Sequence, residues 1–122
     1  MRTVLLAKLH GGCVTACNLH YEGSCGIGPD LLKASGIMPL ERVSVLNIST
    51  GDRLETYVIA AEKNGEISLN GAAARYAAVG DKVIILAYVQ LTERQIRSHR
   101  ARIVILDCNN RIVSCREEAI KL

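Results

Sequence analysis

Four side chains near the N-terminus, His10, Cys13, Cys17 and His20, carry metal-ligand chemistry at close spacing. Imidazole and thiolate are zinc-type ligands, but the spacing argues against one shared ion. On a single helix the four share a face and extend over ~15 Å. On a single strand the histidine pair and the cysteine pair point to opposite faces. Enclosing an ion would need the chain to fold back near Gly11-Gly12 and again near Asn18. No metal is therefore expected, and all five cysteines (Cys25, Cys108 and Cys115 completing the set) are expected as buried free thiols, Cys being among the most buried residue types. Gly26-x-Gly28 lacks the third glycine and the βαβ context of a nucleotide loop. Gly23-Ser24 is different in kind, because it sets a hydroxyl beside a carbonyl whose own residue has no Cβ. Thr56-Tyr57 pairs a hydroxyl with a phenol. Arg53, Lys8 and His10 are cationic or polar groups on strand-like segments, and Arg53 can hold a carboxylate with two hydrogen bonds.

The elements that must position these groups read as short strands separated by turn residues. Arg2 to Leu9 and Cys13 to His20 are aliphatic or β-branched runs, and Tyr21 to Gly26 reads as a turn. Pro29 to Ser35 is a short helix, with Pro29 at its first position and Gly36 just past its end. Strands follow over Arg42 to Ile48 and Arg53 to Ala61, with Asn64-Gly65 as a tight turn into Glu66 to Leu69. Asn70-Gly71 opens a short helix over Ala72 to Ala78. Lys82 to Leu91 reads as a buried strand, Thr92 as a helix N-cap, and Arg102 to Leu106 and Arg111 to Ser114 as the last strands. Glu117 to Leu122 is expected to fray. Many short strands with brief helices point to a small closed barrel, since closure removes exposed edges.

Composition bounds the function classes. At 122 residues the chain suits one domain able to bury a core. Phe and Trp are absent, so the core must be aliphatic, and each of the four Tyr becomes a conspicuous candidate for polar work. The net charge of +3 is only weakly basic. The densest basic patch, Arg94 to Arg102, has no interleaved aromatic for base stacking, which argues against nucleic acid. No apolar run reaches the ~20 residues of a membrane span, and the N-terminus is a poor signal peptide. A cytoplasmic protein with reduced thiols is expected.

Lys8-Leu9-His10, Val14-Thr15 and Asn18-Leu19-His20-Tyr21-Glu22-Gly23-Ser24-Cys25 together resemble the self-cleaving segment of the bacterial, pyruvoyl-dependent aspartate 1-decarboxylase family. The likeness continues through Arg53-Leu54-Glu55-Thr56-Tyr57, Asn70-Gly71-Ala72-Ala73-Ala74-Arg75 and Val79-Gly80-Asp81-Lys82-Val83-Ile84-Ile85, in order and over nearly the whole chain. Gly11-Gly12-Cys13, Cys17 and Leu46, where some members carry tryptophan, depart from the pattern without removing a catalytic group. The resemblance implies a mainly β fold, a small closed six-stranded double-psi β-barrel with short flanking helices. It also implies a homotetramer with active sites between subunits and, in some members, an accessory maturation protein. The implied reaction converts L-aspartate to β-alanine and CO2 through a Schiff base, supplying pantothenate.

That chemistry has a physical logic. Loss of an α-carboxylate leaves a carbanion, and an imine conjugated to a carbonyl absorbs the electrons, as pyridoxal phosphate does elsewhere. A pyruvoyl group supplies such a sink from the polypeptide itself. By resemblance its source is Ser24, whose hydroxyl attacks the Gly23 carbonyl and leaves a β chain, residues 1–23, and an α chain, residues 24–122. Glycine at 23 leaves that carbonyl unhindered, and a strained turn would raise the ground state by ~1–3 kcal/mol. A donor to the oxyanion is often worth ~2.7–4 kcal/mol, and resemblance gives that role to Thr56. It makes Tyr57 the proton donor, and phenols are protonated at neutral pH. Adjacent residues on a strand face opposite ways, so Thr56 and Tyr57 both reach chemistry only through a distorted strand or a site between subunits. Arg53, Lys8 and His10 are the groups for the substrate's carboxylates. Gly71, Ala72 and Ala73 offer free backbone N–H groups at a helix start, with small side chains that let a ligand approach. The alternative is an uncleaved barrel that binds a ligand or partner without catalysis.

Overall fold

The computed structural model of the protein describes all 122 residues. Its strands are β1 (Arg2–Cys13), β2 (Ala16–Asn18), β3 (Ser24–Ile27), β4 (Arg42–Asn47), β5 (Arg53–Ala60), β6 (Ile67–Asn70), β7 (Lys82–Leu91), β8 (Arg100–Leu106) and β9 (Ile112–Ala119). Two short helices, α1 (Pro29–Ser35) and α2 (Glu93–Ile96), and a 3₁₀ helix over Gly71–Tyr76 flank them. The protein is mainly β, as expected. Its strands form one nine-stranded ladder in the order β2-β6-β3-β5-β4-β7-β1-β8-β9, with free ends at β2 and β9.

The sequence explains the elements closely where turn chemistry is explicit. Pro29 starts α1, and Gly36 stops it at φ 76°, where its N–H donates to Leu32 O at 2.8 Å. Thr92 and Gln95 form a reciprocal capping box at α2. β1 runs on past Leu9, because the ladder with β7 absorbs a register shift between His10 and Gly12, with Gly11 at φ 90°. The expected strand Cys13 to His20 is split: Cys13 ends β1 opposite Lys82, and only Ala16–Asn18 forms a separate strand, paired with β6. The expected turn Tyr21 to Gly26 ends early, since Ser24–Ile27 is a fully buried strand between β5 and β6. Glu117 to Ala119 are not frayed: β9 pairs with β8 through Ala119 opposite Arg100.

The core is aliphatic. Ala7 and Leu9 of β1, Val83, Ile85 and Ala87 of β7, and Val43 and Val45 of β4 form its floor, with Cys25, Val58, Leu69 and Val104 packed in the same cluster. Burying such side chains contributes about 1.5–3 kcal/mol each. The five cysteines are free, but they are not uniformly buried. Cys25 is buried, Cys13 and Cys17 are half-buried, and Cys108 and Cys115 are exposed on the β8–β9 hairpin, where Cys115 Sγ lies 3.9 Å from Ala34 O of α1.

Candidate active site

The Gly23–Ser24 link lies where an exposed turn enters the core. Gly23 is exposed, whereas Ser24 retains 1% of its accessible surface. Ser24 opens β3 opposite Asn70 of β6, and the Asn70 side-chain amide donates to Ser24 Oγ at 3.0 Å. The next pair, Cys25 with Leu69, points into the core. Burial pushes the Cys25 thiol up to about 12, so the sulfur beside the serine is an inert thiol at neutral pH. Gly23 does not have positive φ; the glycine in that region is Gly71, at φ 63°. Glycine adopts that conformation without strain, so the strained turn expected before the serine is not seen.

Strand register sorts the remaining candidates by face. Thr56 is opposite Val43 and shares its inward face, while Tyr57, opposite Arg42, points outward and is 39% exposed. No hydrogen bond joins Thr56 to Gly23 or Ser24; the side-chain donor at the serine is Asn70. One register step before the β3–β5 pair Cys25–Val58 stand Ser24 and Tyr57. On the outward face, His10, Ile84, Leu46 and Arg53 form one row across β1, β7, β4 and β5. Lys8, Leu86, Ser44 and Glu55 form the next. Arg42 pairs with Glu55, its Nε 2.6 Å from Oε2, which leaves Arg53 and Lys8 without a carboxylate partner.

One chain does not gather all these groups. Arg53 and Tyr57 are four positions apart on β5, ~13 Å at strand rise. Lys8 and His10 are three strands from β5, ~14 Å at the usual strand spacing. Aspartate is much shorter than either gap. His10 Nδ1 is buried with no hydrogen-bond partner. Burial, then the nearby Lys8 and Lys82 charges, hold its imidazole below the usual value, so it is neutral at pH 7. Gly71 and Ala73 are buried and Ala72 is exposed at the start of the 3₁₀ helix, directly after the serine's donor. His10, Cys13, Cys17 and His20 do not converge; no group of three such side chains could hold a metal. No helix is long and apolar enough to cross a membrane.

The sequence matches the aspartate decarboxylase family over residues 1–113. The chain belongs to that family. An aspartate 1-decarboxylase from Ruminiclostridium cellulolyticum is 55% identical over 111 residues, covering 90% of this chain and 87% of the relative. Namesakes from Leptothrix cholodnii and Bordetella pertussis are 50% and 49% identical, covering 96% and 95% of this chain and 90% and 96% of theirs. Within this family framework, the role that sequence reading missed is that of the Asn70 side chain, which donates to the candidate nucleophile Ser24. Asn70-Gly71 read as a turn and helix start, and the amide's partner is 46 residues away. A polar residue ending a short apolar strand was the one local signal.

Proposed function

We propose that this chain is a precursor that cuts itself between Gly23 and Ser24 and then decarboxylates L-aspartate to β-alanine and CO2. The observation that carries the reading is Ser24 itself: a buried hydroxyl, held by Asn70 and preceded by a glycine carbonyl, in a chain of this family. In the first step Ser24 Oγ bonds to the Gly23 carbonyl carbon, the Gly23–Ser24 C–N bond breaks, and the hydroxyl proton passes to the freed nitrogen. Loss of the Ser24 α-proton then expels the Gly23 carboxylate from Cβ and leaves a dehydroalanine. Addition of one water releases ammonia and leaves a pyruvoyl group at the start of the α chain, residues 24–122. The β chain, residues 1–23, ends in an ordinary carboxylate.

The residues present fit that group. Its source is enclosed, and Gly71, Ala72 and Ala73 place small side chains and backbone N–H groups beside Asn70. The pyruvoyl group, once formed, supplies the electron sink that decarboxylation requires. Thr56 is the donor proposed for the oxyanion of the cut, and Tyr57 Oη delivers the proton that replaces CO2 on the α-carbon. Arg53, Lys8 and His10 are assigned to the substrate, with the two unpaired cations on its carboxylates. Because Arg53 stands ~13 Å along β5 from Tyr57, and Lys8 and His10 stand three strands, ~14 Å, from β5, a second copy must complete each site. The outward apolar residues Leu46, Ile84, Leu86 and Tyr88 support such packing, and a homotetramer is the assembly proposed. The closed six-stranded double-psi barrel belongs to the same reading. It is supported by β1, which is bulged and pairs antiparallel with β7 and parallel with β8. So do a cytoplasmic setting, supply of pantothenate synthesis and help from a maturation protein.

Denaturing mass spectrometry of the purified chain is the test. Two fragments are expected, the larger without a free amine at its start and heavier by two hydrogens after borohydride. A whole chain that makes β-alanine, or a Ser24→Ala variant that does so, would refute the reading; a whole inactive chain would favour a binding barrel.

A further inference from the structure

We infer that Gly71 is a positioning residue for the cut, its bare α-carbon serving as the surface against which the Gly23 backbone is seated in front of Ser24. This inference rests on the self-cleavage proposed above. A methyl group built on Gly71 would lie 2.7 Å from Gly23 Cα, 2.7 Å from Gly23 N and 2.8 Å from Tyr21 O. All three are backbone atoms, so none can swing aside as a side-chain end could. Gly71 also has φ 63°, which disfavours any L side chain there.

Little else holds the attacked residue. The turn before it is tied by Tyr21 N–H to Asn18 O at 3.4 Å and by His20 N–H to Asn18 Oδ1 at 3.2 Å. Both bonds end at Asn18, and neither touches Glu22 or Gly23. Consecutive residues therefore divide the work: Asn70 holds the nucleophilic oxygen, and Gly71 backs the residue that carries the electrophilic carbon. A misplacement of ~1 Å between reacting atoms can cost ~100-fold in rate. The sequence suggested that the steric need for glycine lies at position 23. The structure assigns it to position 71, because a methyl on Gly23 would meet only Asn70 O, at an ordinary 3.8 Å.

The test follows the cut itself by denaturing mass spectrometry, on freshly purified full-length wild type, Gly71→Ala and Gly51→Ala, the last a positive-φ glycine with open space around it. Gly71→Ala should cut at least 100-fold more slowly than wild type and accumulate no ester cleavable by hydroxylamine. Gly51→Ala should stay within threefold. Thermal unfolding against Ser24→Ala, which stays whole by design, shows that Gly71→Ala is folded. If wild type cuts and a folded Gly71→Ala cuts within threefold of it, the positioning role is overturned while self-cleavage stands. If wild type stays whole, both fall. Should Gly71→Ala not fold, the contact is read directly in Ser24→Ala by NMR. A strong cross-relaxation peak between the Gly71 and Gly23 α-protons upholds the seat, and its absence overturns it.

Discussion

Asn110 offers the sharpest quantitative test of how this fold is held. It is 2% exposed and has φ 60° in the turn between β8 and β9. Its Oδ1 accepts from Cys13 N–H at 2.7 Å, and its Nδ2 donates to Cys13 O at 2.9 Å and Gly65 O at 2.7 Å. One side chain thus ties the end of β1, the Asn64-Gly65 turn and the last hairpin. Asn110→Gly keeps the backbone conformation and deletes all three bonds. Each buried group left unpaired costs ~1–3 kcal/mol. Cys13 and Gly65 are half-buried, so water reclaims part and the low end applies, for a total of about 3 kcal/mol. Asn110→Ala adds the cost of an L side chain at positive φ, ~1 kcal/mol more. At roughly 3–5 °C per kcal/mol for a domain of this size, Tm should fall by about 9–15 °C for glycine and further for alanine. Urea and thermal unfolding should be run in the Ser24→Ala background, so that every chain is whole, and at one chain concentration, because assembly shifts Tm. A glycine variant within ~0.5 kcal/mol of the parent would show that the three hydrogen bonds contribute nothing net, against the expectation for buried polar groups.

Three further outcomes follow from the same geometry. The His10 pKa is lowered in the folded chain by burial and then by Lys8 and Lys82, so the unfolded chain takes up the proton first. Stability should fall as pH drops through about 6.5 toward the lower folded value, and His10→Gln should flatten the urea midpoint between pH 7 and 5. Asp81 is held below the usual carboxylate value by the Ala78 N–H and then the Asn47 amide, each 2.9 Å from Oδ2. Its contribution is present above about pH 4 and lost as pH falls through the folded value, and Asp81→Asn should remove that part of the acid slope. A methyl on Gly28 would run into the Lys63 carbonyl oxygen and lie 2.9 Å from Gly65 N, both backbone atoms. Gly28→Ala should cost at least ~2 kcal/mol by chemical denaturation, as overpacking does, whereas Gly51→Ala, with open space around it, should cost ~1 kcal/mol for its φ alone.

The sequence was most legible where one residue type has one job. Pro29 and Gly36 bracketed α1, Thr92 marked α2, and the apolar run Lys82–Leu91 became β7 without a change of boundary, although it alternates inward Val83, Ile85 and Ala87 with outward residues instead of being buried on both faces. It was least legible where long-range pairing overrides local chemistry. Tyr21 to Gly26 has turn composition, yet β5 and β6 draw Ser24–Ile27 into the sheet from both sides. The terminal position of Glu117 to Leu122 suggested fraying, but an exposed edge strand suits charged residues such as Glu117 and Glu118, and β8 supplies the ladder through Ala119. Gly26 and Gly28 looked like a truncated nucleotide loop. They are glycines because Ser68 approaches one and the Lys63–Gly65 backbone approaches the other. At the site, alternation put Thr56 and Tyr57 on opposite faces, and the pairing with β4 shows Thr56 inward and Tyr57 outward. The partner of Ser24 could not, since nothing local to Asn70 announces a strand 46 residues upstream.

Under the proposed function, the layout separates two tasks that one short chain performs in succession. The cut needs a nucleophile and a peptide carbonyl held still, and β6 supplies both constraints from inside the chain through Asn70 and the residue after it. Substrate binding needs unpaired positive charge in contact with water, which a buried strand cannot carry without a large desolvation cost. The outward face of β1, β4, β5 and β7 can carry it, and Lys8 and Arg53 are found there without carboxylate partners. Strand alternation then forbids one β5 residue from serving both faces, so Thr56 and Tyr57 divide inward and outward roles between them. If the cations are to act on a substrate held at Ser24, the gap along and across the sheet must be closed by a second copy. Under the proposed function assembly is then part of the chemistry, because the rows that carry the cations lie along and across the sheet from the Tyr57 of the same chain.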